Sequence, residues 1–343
     1  MGQVLRLDVP PSRLESVQIE PTSFCNLKCA GCNRTWRDAR GLLSSRNMPL
    51  STFVKVMGNL PPGGICWLNG YGEPTLNENL PEMVAVAKKT YDKVFVISNL
   101  PARDMGFYRR LEGAGLDELH VSVDSLNPDI AKLVRFGTDT KRLKERLKAV
   151  RAALSLPITI NIVVSMKNLY DVPDTLAALN AIGGFTCGFA DFGAFGDEEE
   201  DYGGWFTTPA TKAVFNGLVE RAVSKMTNLE FHNTKFKQRR RKSAADRCPR
   251  PFFDPGVTVD GLLTPCCVEL HNPGHYRNTS IAEQSFAEAW ASPAVQDWLR
   301  AYLSEEPAFC KECCLNPYRN EKPRASFWPL FGLGRQERAP EAR

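Results

Sequence analysis

"SVQIEPTSFCNLKCAGCNRTW" occupies residues 16–36. Its first five residues read as a short strand. The loop behind them carries Cys25, Cys29 and Cys32 at spacing C-x3-C-x2-C, with no fourth cysteine nearby. A structural zinc site closes with four ligands, whereas three leave one metal position open. Which case applies depends on the rest of the chain.

Working outward, short apolar runs alternate with helix-period segments. "ICWLNG", "KVFVISN", "ELHVSVDS", "ITINIVVS" and "FTCGFADF" read as strands. Between them lie helical stretches: "LSTFVKVMGNL" with Ser51 as its cap, "NENLPEMVAVAKKTY" with Pro81 in its first turn, a segment near 103–112, "DTKRLKERLKAVRAAL" and "DVPDTLAALNAI". Six strand–helix repeats predict a parallel sheet. Six are too few to close an eight-stranded barrel, so the expected fold is α/β, a partial (β/α)6 barrel. Ligands of such sheets bind at the carboxyl ends of the strands, and the cysteine loop stands at that end of the first one.

The pattern changes near residue 195. "GDEEEDYGG" is acidic, a helix is expected at about 208–226, and "KFKQRRRK" (235–242) carries six positive charges in eight residues. Both charge runs read as solvated surface, or more sharply as a lid and an anion-steering patch. The expected division is 1–229 for the barrel with its trailing helix, 230–320 for a small cysteine-rich domain and 321–343 for a tail.

The 343 residues, 43% hydrophobic, suffice for one large domain and a small one. A net charge of +4 is too mild to argue for nucleic acid. The first residues have no apolar signal region, and no apolar run approaches the roughly 20 residues of a membrane span. A cytoplasmic protein is expected. Eleven cysteines in a reducing compartment point to metal ligands rather than disulfides. Three lie in 25–32, three in 248–267 and three in 310–314; Cys66 and Cys187 stand alone in strand-like runs and read as buried, inert thiols.

C-x3-C-x2-C after the first strand of a six-fold β/α repeat resembles the radical S-adenosylmethionine (SAM) superfamily, over about residues 15–195. The resemblance implies a 4Fe–4S cluster on Cys25, Cys29 and Cys32, with SAM on the open iron. It implies cleavage of SAM to a 5′-deoxyadenosyl radical that takes a hydrogen atom from substrate, and a one-electron donor such as flavodoxin or ferredoxin. "YGEP" (71–74) resembles the family's G-G-E-P motif, which makes Gly72 and Glu73 SAM contacts, Glu73 toward the ammonium. Asn99 of "SNL", Ser122 of "VSVDS" and Arg135 of "LVRFG" resemble further SAM-binding positions. One departure is visible: Gly31 stands where the family usually has an aromatic residue near the adenine.

The later cysteines follow C-x12-G-x4-C, a gap, then C-x2-C: Cys248, Gly261, Cys266, Cys310 and Cys313. "VTVDGLLTP" reads as a hairpin on an Asp-Gly turn. The layout resembles the SPASM module in its shortened twitch form and implies one auxiliary 4Fe–4S cluster on Cys248, Cys266, Cys310 and Cys313. Cys267 and Cys314 remain adjacent alternatives, and a four-cysteine zinc site is the plainer reading of the same residues. The cysteine layout is similar to that of the butirosin-pathway aminocyclitol dehydrogenase, which implies oxidation of a small polar substrate with the auxiliary cluster accepting an electron. The rivals are a peptide-modifying SPASM enzyme and a non-catalytic electron carrier. Tyr202, Trp205, His232 and Arg247 are candidates for the barrel mouth.

Overall fold

The computed structural model describes residues 7–193, 205, 207–234, 248–307, 310 and 313. The amino-terminal part runs β1 (Leu14–Ile19), β2 (Lys28–Cys29), α1 (Asn33–Ala39), α2 (Leu50–Asn59), β3 (Gly63–Leu68), α3 (Leu80–Ala87), β4 (Tyr91–Ser98), α4 (Met105–Gly113), β5 (Glu118–Ser122), α5 (Pro128–Val134), β6 (Arg135–Phe136), α6 (Thr140–Ala153), β7 (Ile158–Val164), α7 (Val172–Ile182) and β8 (Phe185–Asp191). After it come α8 (Pro209–Val223), β9 (Leu229–Phe231), α9 (Arg250–Phe253), β10 (Gly256–Val257), β11 (Leu263–Thr264), α10 (Phe286–Ala291) and α11 (Pro293–Ser304).

Six strands, β1, β3, β4, β5, β7 and β8, pair in parallel in that order and form the partial barrel. Helices cover the sheet, so these strands are apolar along most of their length; "ITINIVV" of β7 leaves only two of its seven residues part-exposed. The helices show a single buried stripe. In α6, Leu143, Leu147 and Val150 face the core, and the Asp139 carboxylate caps the first turn by accepting from the Arg142 N–H. For α2 the capping expectation fails: the helix starts two residues earlier than a Ser51 cap requires, its N-cap is Pro49, and Ser51 lies inside the first turn.

The sheet does not end at the sixth strand. β9 adds in parallel to β8, so the boundary expected at 230 falls inside a strand of the same sheet. At the opposite edge β10 adds in parallel to β1, pairing Gln18 with Gly256 and Ile19 with Val257. β10 and β11 form the expected hairpin, with Gly261 at φ 78° in its turn. One continuous apolar core runs from Leu14 to Cys310 through both parts. The Trp290 and Gln296 side chains donate to the Leu7 carbonyl, tying α10 and α11 to the amino terminus. Among the described residues no helix is long and apolar enough to cross a membrane. The two charge runs and the tail lie outside the described residues.

Candidate active site and cluster centres

The cysteine loop sits where β1 ends, held by its neighbours' backbones. Cys29 pairs with Arg135 across the two-residue ladder of β2 and β6, and the Ala30 N–H donates to the Val134 carbonyl. Arg135 also reaches Asp124 at 3.3 Å. Burial disfavours its charge, yet Cys29, Asp124 and Cys25 together hold the guanidinium above its ordinary pKa. Burial pushes the Cys29 thiol up to about 11, with Arg135 pulling the other way. All three thiols are part-exposed. A permanently charged, mostly buried guanidinium beside them favours thiolates, the form that binds metal.

The YGEP turn packs under the same loop. The Glu73 N–H donates to the Phe24 carbonyl at 2.7 Å. A Cβ on Gly72 would stand 2.1 Å from the Thr22 carbonyl oxygen, so only glycine allows this approach. Glu73 is 3% exposed. Its Oε1 accepts from the Thr75 N–H, Thr75 Oγ1 and Ser98 Oγ, and its Oε2 from the Asn99 N–H. Burial raises its pKa and these bonds oppose the rise. Glu73 therefore latches the end of β3 to the end of β4, with acceptor capacity left on Oε2. Asn99 Nδ2 donates to Asn26 Oδ1, while its own Oδ1 is buried without a partner. Ser122 ends β5 half-buried.

Beyond Cys32 a cleft of about 500 Å³, open to solvent, is lined by Gly31, Cys32, Asp124, Ser165, Phe192 and Trp205, among others. Gly31 has φ 67°, and a Cβ there would lie 2.3 Å from the Phe192 ring. The space that a side chain at 31 would claim is thus filled from the end of β8. Trp205 flanks Phe192 at 5.6 Å between ring centres, tilted by 30°. Of the other barrel-mouth candidates, His232 lies elsewhere: it follows β9 and faces Thr159 and Glu118, at the starts of β7 and β5. Tyr202 and Arg247 lie outside the described residues.

The second thiol group is assembled from distant segments. Cys248, Cys266 and Cys310 are buried, while Cys267 and Cys313 are part-exposed. Burial is the largest influence on each buried thiol, and each is raised further by its neighbours: Cys313 acts on Cys248, Cys266 and Cys310 alike. Arg250, fully enclosed, donates to Cys267 Sγ at 3.4 Å and feels Cys248, Cys266 and Asp254 as well. Tyr302 donates to the Cys248 carbonyl. Cys266 and Cys267 both reach the group; Cys314 lies outside the described residues. Cys66 and Cys187 are buried inside strands.

Residues 19–177 match the family described as the radical SAM superfamily, and residues 248–314 match the iron–sulfur cluster-binding SPASM domain; together they cover more than half the chain. The chain carries a radical SAM superfamily domain followed by a SPASM domain. It is similar to the PqqA peptide cyclase of Granulibacter bethesdensis, 23% identical over 301 residues, covering 86% of this chain and 78% of that protein. It also resembles a probable GTP 3′,8-cyclase of Methanocaldococcus jannaschii, 24% identical over 274 residues, covering 76% and 87%. Its fold is that of Streptococcus suis SuiB bound to S-adenosylmethionine, at TM-score 0.64 and 14% identity, covering 88% of this chain and 71% of that one. SuiB is also known bound to its precursor peptide SuiA.

The radical SAM and SPASM domains take SAM and two 4Fe–4S clusters. The residues present fit both groups. Three thiols beside one guanidinium suit a cluster with an open iron, and the orphaned Asn99 Oδ1 awaits a donor. No three described His, Cys, Asp or Glu side chains close around a single ion. A cube binds each thiolate through a different iron, so its sulfurs stand farther apart than the ligands of one ion. The sequence did not single out Phe192, Arg250 or Tyr71. Phe192 ends a strand run already recognised, and the glycine one residue before Cys32 was the available signal.

Proposed function

We propose that this radical SAM enzyme oxidises its substrate, using Cys25, Cys29 and Cys32 for the SAM-binding cluster and Cys248, Cys266, Cys310 and Cys313 for an auxiliary one. When bound, the first cluster with SAM supplies a hydrogen-abstracting 5′-deoxyadenosyl radical, and the second supplies a one-electron acceptor. The observation that carries this reading is the physical link between the two thiol groups. The Tyr71 hydroxyl donates at 2.7 Å to the carbonyl of Val268, just past Cys266 and Cys267, while the same turn delivers Gly72 and Glu73 to the first cysteine loop. A non-catalytic electron carrier has no use for that turn or for an open iron.

The residues divide the work. Arg135 stabilises thiolates beside Asp124. Asn99 Oδ1 and the free capacity of Glu73 Oε2 offer acceptors for the donors of SAM. Phe192 and Trp205 form one apolar wall of the cleft beside Cys32. Gly31 and Phe192 jointly take the place of the usual aromatic at 31. A one-electron donor protein such as flavodoxin or ferredoxin would supply the electron that a cluster held by Cys25, Cys29 and Cys32 needs.

For the substrate, a peptide side chain is the favoured reading, because the PqqA cyclase is by name a peptide cyclase and SuiB binds a precursor peptide. A cyclitol- or sugar-type alcohol is the second reading, supported by the cysteine layout. The test incubates reduced, cluster-loaded protein with SAM and either a panel of precursor-type peptides or aminocyclitols. The expected result is 5′-deoxyadenosine formation with loss of two hydrogens from one substrate class. No 5′-deoxyadenosine from SAM under strong reduction overturns the proposal.

A further inference from the structure

A second cleft, about 660 Å³ and open on one side, lies between the first cysteine loop and the segment after Cys267. It belongs neither to the thiol groups nor to the aromatic cleft. Arg34, Arg37, Arg46, Tyr71 and His271 line it, with Glu20 and Asp260 on the carboxylate side.

The charges do not cancel. Arg46 is paired with Asp260 at 3.1 Å. Glu20 is fully enclosed, and burial lifts its pKa to about 7, which removes much of its charge near neutrality. Arg34 is 7% exposed, donates to the Ser23 carbonyl, and has Asp38 only at 3.9 Å. Arg37 donates to the Leu42 carbonyl, and no described carboxylate comes within ion-pair distance of it. The cleft thus holds cationic groups in excess.

His271 adds a directional requirement. The Tyr71 hydroxyl has one proton, and a carbonyl can only accept, so that proton goes to Val268 O. Facing it at 3.0 Å, His271 Nδ1 must then be the donor. This fixes the tautomer with the proton on Nδ1 and leaves Nε2 as an acceptor. Burial, with help from Arg37 and His275, keeps the imidazole neutral against the pull of Glu269.

We propose that this cleft binds an anionic group carrying a neighbouring hydrogen-bond donor: the charge rests against Arg37, and the donor meets His271 Nε2. A carboxylate beside a hydroxyl or amide N–H satisfies it, as does a hydrogen phosphate. This deepens the reading above by giving the substrate an acidic handle, and it rests on that reading only for the word substrate, since binding is read without SAM cleavage.

The probes are inorganic phosphate, which carries both charge and an O–H donor, and sulfate, which carries charge alone. Binding to the full-length, cluster-loaded protein at pH 7 is followed by calorimetry. Phosphate should bind more tightly than sulfate. Arg37→Gln should weaken both by about tenfold or more, Arg37→Lys should restore part of each, and His271→Phe should weaken phosphate while sparing sulfate. SAM at saturation should leave phosphate binding unchanged. Equal binding by wild type and Arg37→Gln, or no binding by the folded wild type, overturns the proposal. Displacement of phosphate by SAM overturns the separateness of the site.

Discussion

The two thiol groups differ in how the chain builds them. The first is local: three cysteines within eight residues, all part-exposed, on one loop at a strand end. The second is assembled from Cys248, the hairpin end at Cys266–Cys267, and Cys310 and Cys313 beyond α11, most of it buried. An exposed, local set suits a site that must admit a ligand to its metal. A buried set drawn from distant segments also staples a small, turn-rich region, because four thiolates on one cluster close long loops. The same element type therefore serves chemistry in one place, and both chemistry and stability in the other.

The largest effect is expected from changing Cys25, Cys29 and Cys32 together to Ala. Iron should fall from about eight per chain to about half of that, with 5′-deoxyadenosine abolished and the fold kept. Continued SAM cleavage by this variant would break the assignment of the open site.

Replacing Cys310 and Cys313 by Ala should act differently. SAM cleavage should persist while oxidised product disappears, and the thermal midpoint should drop because a staple is lost. Circular dichroism and the remaining iron distinguish loss of the fold from loss of the acceptor. Normal product yield from a folded double variant would reduce the second group to a staple alone.

Gly31→Ala probes the seam between loop and β8. The left-handed backbone costs a non-glycine residue about 1–2 kcal/mol, and overpacking against Phe192 about 1–3 kcal/mol more. The expected loss is read by denaturant titration, with weaker SAM binding. Adding Phe192→Ala should relieve the crowding and leave the backbone part. A Gly31→Ala protein as stable as wild type would remove Phe192 from that space.

Glu20 sharpens the comparison from between the two regions, since it accepts from the Tyr71 and Val259 N–H groups. Its pKa is raised from 4.5 to about 7 by burial. The folded state then holds a proton that the unfolded chain has released. Its contribution is fully present below about pH 4.5 and is lost as pH rises through about 7. At about 1.4 kcal/mol per pKa unit the loss is on the order of 3.5 kcal/mol. Denaturation between pH 5 and 8 should show this fall in wild type and a flatter profile in Glu20→Gln. Parallel profiles would place the proton elsewhere.

Much of this was legible in the chain. The strand–helix alternation, the Asp-Gly hairpin and the C-x3-C-x2-C loop are local patterns, set by periodicity, turn chemistry and spacing within a few residues. Glu73 and Asn99 were legible as candidates through the resemblance of YGEP and SNL to family motifs, each just past the end of a strand. Their bonding was not: that Glu73 spends most of its acceptors on Thr75, Ser98 and Asn99 depends on β3 and β4 being neighbours. Ser51 misled because a proline one residue before the helix makes an adequate start without a capping side chain.

The sequence by itself determined the β/α repeat, the two groups of cysteines and the missing aromatic at 31, because each is written in residues close together along the chain. Only the tertiary structure decided that Phe192 fills the space above Gly31, that Tyr71 touches the segment after Cys267, and that β9 and β10 extend the barrel sheet at its two edges. These contacts join residues 161 and 197 positions apart, 44 apart for β8 with β9 and 238 apart for β1 with β10. Spacing along the chain carries no information at that range; closing such loops depends on the shared core that brings their ends together.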